Sequence, residues 1–353
     1  INEYLQDKNE NRFIIDINKN TEYEEFNISK INDHTRAFIK VQDGCNQFCS
    51  YCIIPFTRGR VRSRKMENII EEVKKLASSG YKEVVLTGIH LSSYGVDFLD
   101  ESYNKRMELL TQTEESDEEF VTKNELLNLI ETIAKVDGIE RIRIGSLEPR
   151  IIKEGFIKSL SEINKFCPHF HLSLQSGCDK TLKSMNRKYT ASEFYEGVEL
   201  IRKYFDSPAI TTDIIVGFPG ESERDFEESK AFVEKVKFYE THIFPYSVRE
   251  GTKAAHMPQV DGNEKAKRAN ILNEINLANQ REFRSQRIKK VDEVLCEETF
   301  TLDGKEYYTG YTKEYVKIAV LKDGLSTNDI IKGKIAGFLT DDILLMEKEQ
   351  NNV

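Results

Sequence analysis

The chain has 353 residues, with 51 Lys and Arg against 60 Asp and Glu, a formal net charge of −9. That length allows one large and one small domain and a core that needs no disulfide staples. The acidic balance argues against indiscriminate nucleic-acid binding but leaves room for local basic patches. No apolar run reaches the roughly 18 residues a membrane span needs. The polar start lacks the charged-then-apolar order of a signal peptide. Three of the six cysteines crowd into eight residues, which fits a cytoplasmic metal site better than a secreted disulfide framework.

Residues 1–30 read as a polar lead-in, the tail of a further N-terminal domain or a linker. From residue 35, short β-branched runs at 37–42, 83–87, 141–144, 169–174, 210–216 and 241–244 alternate with amphipathic stretches. Met66, Ile69, Ile70, Val73, Leu76 and Ala77 follow the helical period, and Gly80 stops the helix. Residues 123–136 repeat the scheme, and Thr190–Glu193 and Ser222–Asp225 fit capping boxes. Alternating strands and helices mean a parallel sheet with right-handed crossovers. About six βα units are legible, two short of a closed eightfold barrel, so the α/β fold expected is an open partial (β/α)6 barrel. A doubly wound open sheet is the alternative.

Two stretches break the alternation. Residues 97–120 are acidic and aperiodic and read as a solvated, mobile insertion loop. Residues 264–290 read as a long helix, after which short strands at 291–296, 307–311, 315–320 and 343–346 predict a small all-β barrel. The domain boundaries expected are 1–30, 31–288 and 289–353.

Cys45-x3-Cys49-x2-Cys52 follows directly on the first strand. Three thiolates on one loop can hold three irons of a cubane and leave the fourth without a protein ligand. Structural zinc usually takes four ligands, and a ferredoxin supplies all four cysteines itself. An open iron is what a cluster needs to bind and reduce a small molecule. Cys167, Cys178 and Cys296 are isolated and read as small buried side chains. The strand ends carry Gly and polar residues in register with this loop, where parallel α/β barrels place their working groups.

The cysteine spacing, with Tyr51 before the last cysteine, resembles the signature of the radical S-adenosylmethionine (SAM) enzymes. The resemblance implies a 4Fe-4S cluster on Cys45, Cys49 and Cys52, its open iron chelated by the methionyl group of SAM. One-electron cleavage of the sulfonium then gives a 5′-deoxyadenosyl radical. Tyr51, Gly88, Ser146, Glu148, Gln175, Arg187 and Asp213 are the candidate cofactor contacts, Arg187 as a fork for the methionyl carboxylate. For Asp213 a paired, buried carboxylate is an equal expectation. His90 reads as a packing or hydrogen-bonding histidine.

Residues 41–45, 52–60, 86–90, 174–177 and 213–221 resemble the methylthiotransferases, over residues 31–347. The terminal β-barrel resembles their RNA-binding TRAM domain. "QDGCNQFCSYCIIP" and "LTGIHLSSYG" look most like the MtaB branch, which acts on N6-threonylcarbamoyladenosine beside the tRNA anticodon. The implied chemistry inserts sulfur at adenine C2 and caps it with a methyl group from a second SAM. Implied partners are tRNA, a sulfur donor and a reductant such as flavodoxin or ferredoxin. Other tRNA adenosines, a ribosomal protein side chain, or a non-catalytic iron-sulfur RNA-binding role are the competing readings. Family members carry a second, auxiliary cluster on three cysteines of an N-terminal domain, and none precede Cys45 here. The expectation is a chain able to cleave SAM but not to complete methylthiolation by itself. Arg58, Arg60, Arg62 and Arg64 form a basic run after the cluster loop and are the candidate RNA contacts. A second basic stretch spans 281–290, and Tyr307, Tyr308, Tyr311 and Tyr315 are either stacking platforms or core.

Overall fold

Ala37, Ile39 and Val41 alternate with Phe38 and Lys40, and in the computed structural model they bury one face of strand β1 (Arg36–Asp43). The structure describes residue 17 and residues 23–25, 35–98 and 117–348. A two-residue strand, β2 (Arg62–Ser63), pairs antiparallel with β1. On its other side β1 pairs in parallel with β3 (Glu83–Gly88), which pairs with β4 (Arg141–Ile144). A second parallel sheet holds β5 (His169–Gln175), β6 (Ala209–Val216) and β7 (Glu240–Pro245). Parallel bridges Ile142–Phe166 and Leu147–Leu172 join the two sheets. The strands therefore run in sequence order with no reversal, which excludes a doubly wound sheet. The sheet curls without closing, and this half-barrel leaves inward-facing Phe38 and Phe244 half exposed on its first and last parallel strands.

Helices cover the outer face. α1 (Ile54–Thr57) is a single turn after the cysteines, and α2 (Met66–Ser78) buries Ile69, Val73 and Leu76. α4 (Glu125–Ala134) follows α3 (Asp117–Thr122), its start capped by Asn124 accepting from the Leu127 N–H. α5 (Glu154–Ser161), α6 (Asp179–Ser184), α7 (Ala191–Tyr204) and α8 (Glu223–Val236) complete the layer, and both expected capping boxes, Thr190–Glu193 and Ser222–Asp225, form. Phe156, Phe170, Phe194 and Phe238 pack between helices and sheet, each fully buried aromatic worth roughly 1.5–3 kcal/mol. α9 (Gly262–Ser285) runs along β7, where Asn276 accepts from the Thr241 N–H at 2.8 Å.

The acidic insertion is not wholly loop. Residues 99–116 lie outside the described residues, but Asp97 accepts from the Ser63 N–H at 2.8 Å, and α3 packs Phe120 and Val121 on the core. The lead-in is described only at 17 and 23–25; there Tyr23 donates to the Lys40 carbonyl at 2.8 Å and Glu25 pairs with Arg64 at 2.6 Å.

After α9 a closed barrel forms from β8 (Val291–Leu302), β9 (Lys305–Tyr311), β10 (Lys317–Leu321), β11 (Ile330–Phe338) and β12 (Leu344–Lys348), in the order β10-β12-β11-β8-β9. β11 escaped the sequence reading because Gly333, Gly337 and two lysines mask its alternation. Closure explains one of the glycines: a Cβ on Gly333 would lie 2.3 Å from the Glu347 carbonyl oxygen.

This barrel docks on the floor of the half-barrel through buried charge. Arg143 donates to Glu83 at 2.9 Å and to the Lys313 carbonyl at 2.8 Å. Arg141 donates to the Glu293 carboxylate and the Tyr311 carbonyl, both at 2.8 Å. Arg36 pairs with Glu297 at 3.0 Å and lies over the rings of Tyr311 and Tyr315, and Tyr315 stacks on His169. Tyr307 and Tyr308 are buried in the barrel itself. The four tyrosines are thus core and docking residues, because their rings are already stacked or enclosed. Arg287 of the second basic stretch is likewise buried, on Asp292 at 2.6 Å and Glu314 at 3.1 Å.

Candidate active site

The loop after β1 needs a left-handed turn, and Gly44 supplies it at φ +71°; a Cβ there would lie 1.8 Å from the Arg60 carbonyl oxygen. Cys45 N–H then donates to the Gly59 carbonyl at 3.1 Å, and Cys52 N–H to the Cys49 carbonyl at 3.0 Å. The middle of the loop is fastened to the far side of the barrel. Ser50 N–H donates to the Met185 carbonyl at 3.0 Å, and its hydroxyl to the Ser184 carbonyl at 2.8 Å. Asn186 donates to the Phe48 carbonyl at 2.9 Å. Segment 184–186 is the end of α6 and its cap, so the loop bridges the two sheets across the mouth.

Cys49 is buried, and Cys45 and Cys52 are half-buried. Each sulfur has an N–H donor. Gln47 N–H points at Cys45 Sγ at 3.5 Å, Arg187 Nη1 donates to Cys49 Sγ at 3.3 Å, and the Ile54 N–H faces Cys52. Burial pushes the Cys45 thiol up to about 11 and raises Cys52 as well, with these N–H groups opposing it. Three sulfurs on one loop, each met by a donor suited to a negative sulfur, fit a cubane cluster ligated through three thiolates. A cavity of about 260 Å³ opens beside them, bordered by Phe48, Cys49, Cys52, Asn186 and Thr252.

Around this loop the structure gathers several of the expected contacts. Arg187 fixes itself by donating from Nε to the Tyr189 hydroxyl at 2.8 Å and from Nη2 to the Ser173 carbonyl at 3.0 Å. Tyr51 packs edge-on against Phe218 of the loop after β6, and burial raises its phenol. Gly88 sits against Gln42, whose Oε1 would be 2.9 Å from a Cβ at that position. Gln175, at the end of β5, holds a left-handed φ of +71°. Glu148 is buried and paired with Arg150 at 2.7 Å. Ser146 is exposed.

Asp213 lies elsewhere. It lies three residues before the end of β6, paired with His171 at 3.2 Å and part-exposed, so it is not the buried carboxylate also expected. The arginine run divides. Arg58 and Arg60 are exposed, but Arg62 is buried on Asp43 and the Arg58 carbonyl, and Arg64 is buried between Glu25 and Glu72. Arg58 and Arg60 precede β2 and stay in water, whereas Arg62 in β2 and Arg64 just after it are drawn inside by these carboxylates, where a phosphate cannot reach them.

The sequence reading missed Gln42. Its Nε2 donates to the Asp43 and Gly44 carbonyls at 2.6 and 2.7 Å, and its Oε1 accepts from the His90 N–H at 2.7 Å. It therefore ties the cysteine loop to the end of β3; the only signal was an uncharged polar residue closing an apolar strand. Arg150, which reaches Gln47 and Glu148, carried no signal at all.

The comparisons agree with this arrangement. The model of the radical SAM superfamily matches residues 39–233. The threonylcarbamoyladenosine tRNA methylthiotransferase MtaB of Bacillus subtilis (strain 168) is 38% identical over 337 residues, 95% of this chain and 70% of that protein. A protein of the same name from Aquifex aeolicus (strain VF5) is 38% identical over 284 residues, 80% of this chain and 63% of its own. The tRNA-2-methylthio-N(6)-dimethylallyladenosine synthase of Thermoanaerobacter sp. (strain X514) is 40% identical over 296 residues, 82% of this chain and 57% of that one. The chain thus spans between 57% and 70% of the length of these relatives. With its three cysteines on one donor-lined loop over an open half-barrel, the chain belongs to the radical SAM superfamily and, within it, to the methylthiotransferase family, with a 4Fe-4S cluster and SAM as cofactors.

Proposed function

We propose that this chain is the catalytic body of a tRNA methylthiotransferase acting at C2 of N6-threonylcarbamoyladenosine next to the anticodon. The observation that carries it is the cysteine loop laid across the mouth of a half-barrel whose interior is open and polar. When bound by Cys45, Cys49 and Cys52, the cluster supplies one-electron reductive cleavage of SAM. The protein's own groups do the rest. Arg187 holds Cys49 and offers positive charge to the methionyl carboxylate. Tyr51, Gly88, Ser146, Glu148 and Gln175 border the space that SAM would fill, and the docked β-barrel closes the floor against water.

Two named relatives differ in the substituent on the adenosine: threonylcarbamoyl in one, dimethylallyl in the other. The lumen strands present His171, Asp213 and His242, which suits a polar substituent better than an apolar one. RNA would be engaged by exposed Arg58 and Arg60 and by the terminal barrel, read as TRAM-like over 289–353, with the catalytic part at 31–288. A reductant such as flavodoxin or ferredoxin and a sulfur donor are the partners this reading requires.

Anaerobic reconstitution with iron, sulfide, dithionite and SAM should yield 5′-deoxyadenosine, and Cys49→Ala should abolish it. No 5′-deoxyadenosine from the wild-type chain would defeat every catalytic reading. Nucleoside mass spectrometry of tRNA from a deletion strain, with and without the full-length gene, should show the methylthio group on the threonylcarbamoyl nucleoside. Its appearance on a different adenosine would reassign the substrate.

A further inference from the structure

The interior face of the half-barrel carries a second set of ligand-type side chains, deeper than the cysteine loop and on different strands. β5 and β6 pair in parallel with His171 opposite Thr211, and β6 and β7 pair with Asp213 opposite His242. Residues two apart on a strand share a face, so this register puts Asp213 level with His242 and diagonal to His171. One ligand atom from each of the three lies within 4.8 Å of the others. His171 Nε2 is 3.2 Å from Asp213 Oδ2, and the two imidazoles stack with centroids 5.6 Å apart.

We propose that His171, Asp213 and His242 bind one divalent transition-metal ion of the zinc class. Two imidazoles and a carboxylate on one concave face are a common ligand set for such ions, and the side toward the lumen stays open for a further ligand. The surroundings orient the set. Thr211 Oγ1 lies 2.9 Å from His171 Nδ1, which fixes that ring with Nε2 toward the carboxylate, as an outer-shell partner does in built metal sites. The same hydroxyl lies 3.3 Å from His169 Nε2, so its own orientation is fixed in turn. His242 is uncommitted: among the described residues it makes no hydrogen bond, only the ring contact with His171. Without metal, neutral His171 donates its Nε2–H to Asp213; on binding, the ring takes its other tautomer, Nε2 ligates the ion, Nδ1–H donates to Thr211 Oγ1 with no net loss of a proton, and His242 is recruited. The ion is bound with no change of oxidation state, and nothing in this proposal depends on which nucleoside is modified.

The three thiols are softer ligands and compete for the same ion, so they must be occupied or removed in the test. Full-length chain with its cluster reconstituted should be titrated with zinc, and metal counted by elemental analysis after gel filtration. The expected result is one zinc per chain beyond the cluster iron. His242→Ala and Asp213→Ala should weaken it more than about 100-fold, and Thr211→Val about 10–100-fold, with cluster absorbance unchanged. A Cys45→Ala/Cys49→Ala/Cys52→Ala variant given cobalt should show weak visible bands of nitrogen and oxygen ligation without thiolate charge transfer. If that variant does not fold, the cluster-loaded protein decides alone. Failure to retain zinc, or retention unaltered by His242→Ala, would leave only a His171–Asp213 ion pair and overturn the proposal.

Discussion

Arg187 donates from Nη1 to the sulfur of Cys49 at 3.3 Å, although the two residues lie 138 positions apart. The contact joins the cysteine loop of the first sheet to the segment that follows α6 of the second. Its other two nitrogens donate to Tyr189 and the Ser173 carbonyl, so the guanidinium is rigid before any ligand arrives, with one N–H left on each terminal nitrogen. Arg187→Lys keeps the charge and loses the fork. Cluster absorbance should persist, while the rate of 5′-deoxyadenosine formation falls about 10–100-fold, the equivalent of one charge-assisted hydrogen bond at roughly 1.5–3 kcal/mol. An unchanged rate would remove Arg187 from the cofactor site.

The divided arginine run gives opposite outcomes for neighbouring residues. Arg58→Glu with Arg60→Glu should leave unfolding free energy within about 0.5 kcal/mol of wild type and flatten the salt dependence of tRNA binding. Arg64→Ala, which strands Glu72 and Glu25, should cost roughly 3–5 kcal/mol by urea denaturation. Equal stability losses in the two variants would contradict the burial pattern.

Gly44 is the hinge of the cysteine loop. Gly44→Ala forces a side chain into a left-handed turn and against the Arg60 carbonyl. A loss of about 1–3 kcal/mol from the backbone conformation alone is expected, together with incomplete cluster loading measured as iron per chain. Gly304→Ala, also at positive φ but in open space, serves as the comparison and should load iron normally.

His90 is held neutral. Burial, then the charges of Arg187 and Arg150, lower its pKa to about 3 from an ordinary 6.5. Between those values the unfolded chain binds the proton and the folded chain does not, so stability rises with pH across that window and is lost as pH falls through it. In the cluster-free protein, His90→Gln should reduce the slope of unfolding free energy below pH 6.5 by up to about 1.4 kcal/mol per pH unit. Parallel slopes would show that His90 is protonated in the fold.

Local pattern was enough for much of this. The period-two and helical runs placed the six parallel strands and most covering helices within a few residues, because each is specified by neighbours along the chain. The capping boxes at Thr190 and Ser222 were legible for the same reason. The three cysteines were legible because their ligand spacing lies within eight residues. β11 was not, since its glycines serve closure of a barrel whose partner strands lie elsewhere in sequence.

The amino-acid sequence by itself determined a half-barrel with a three-cysteine loop after its first strand, since spacing and periodicity are properties of short stretches. Only the tertiary structure decided which arginines face water, why Gln42 closes β1, that tyrosines of the last barrel plug the first, and that Asp213 sits beside His171 and His242. Those are matters of register between segments 19 or more residues apart, set by how the elements between them pack, and no short stretch of chain encodes them.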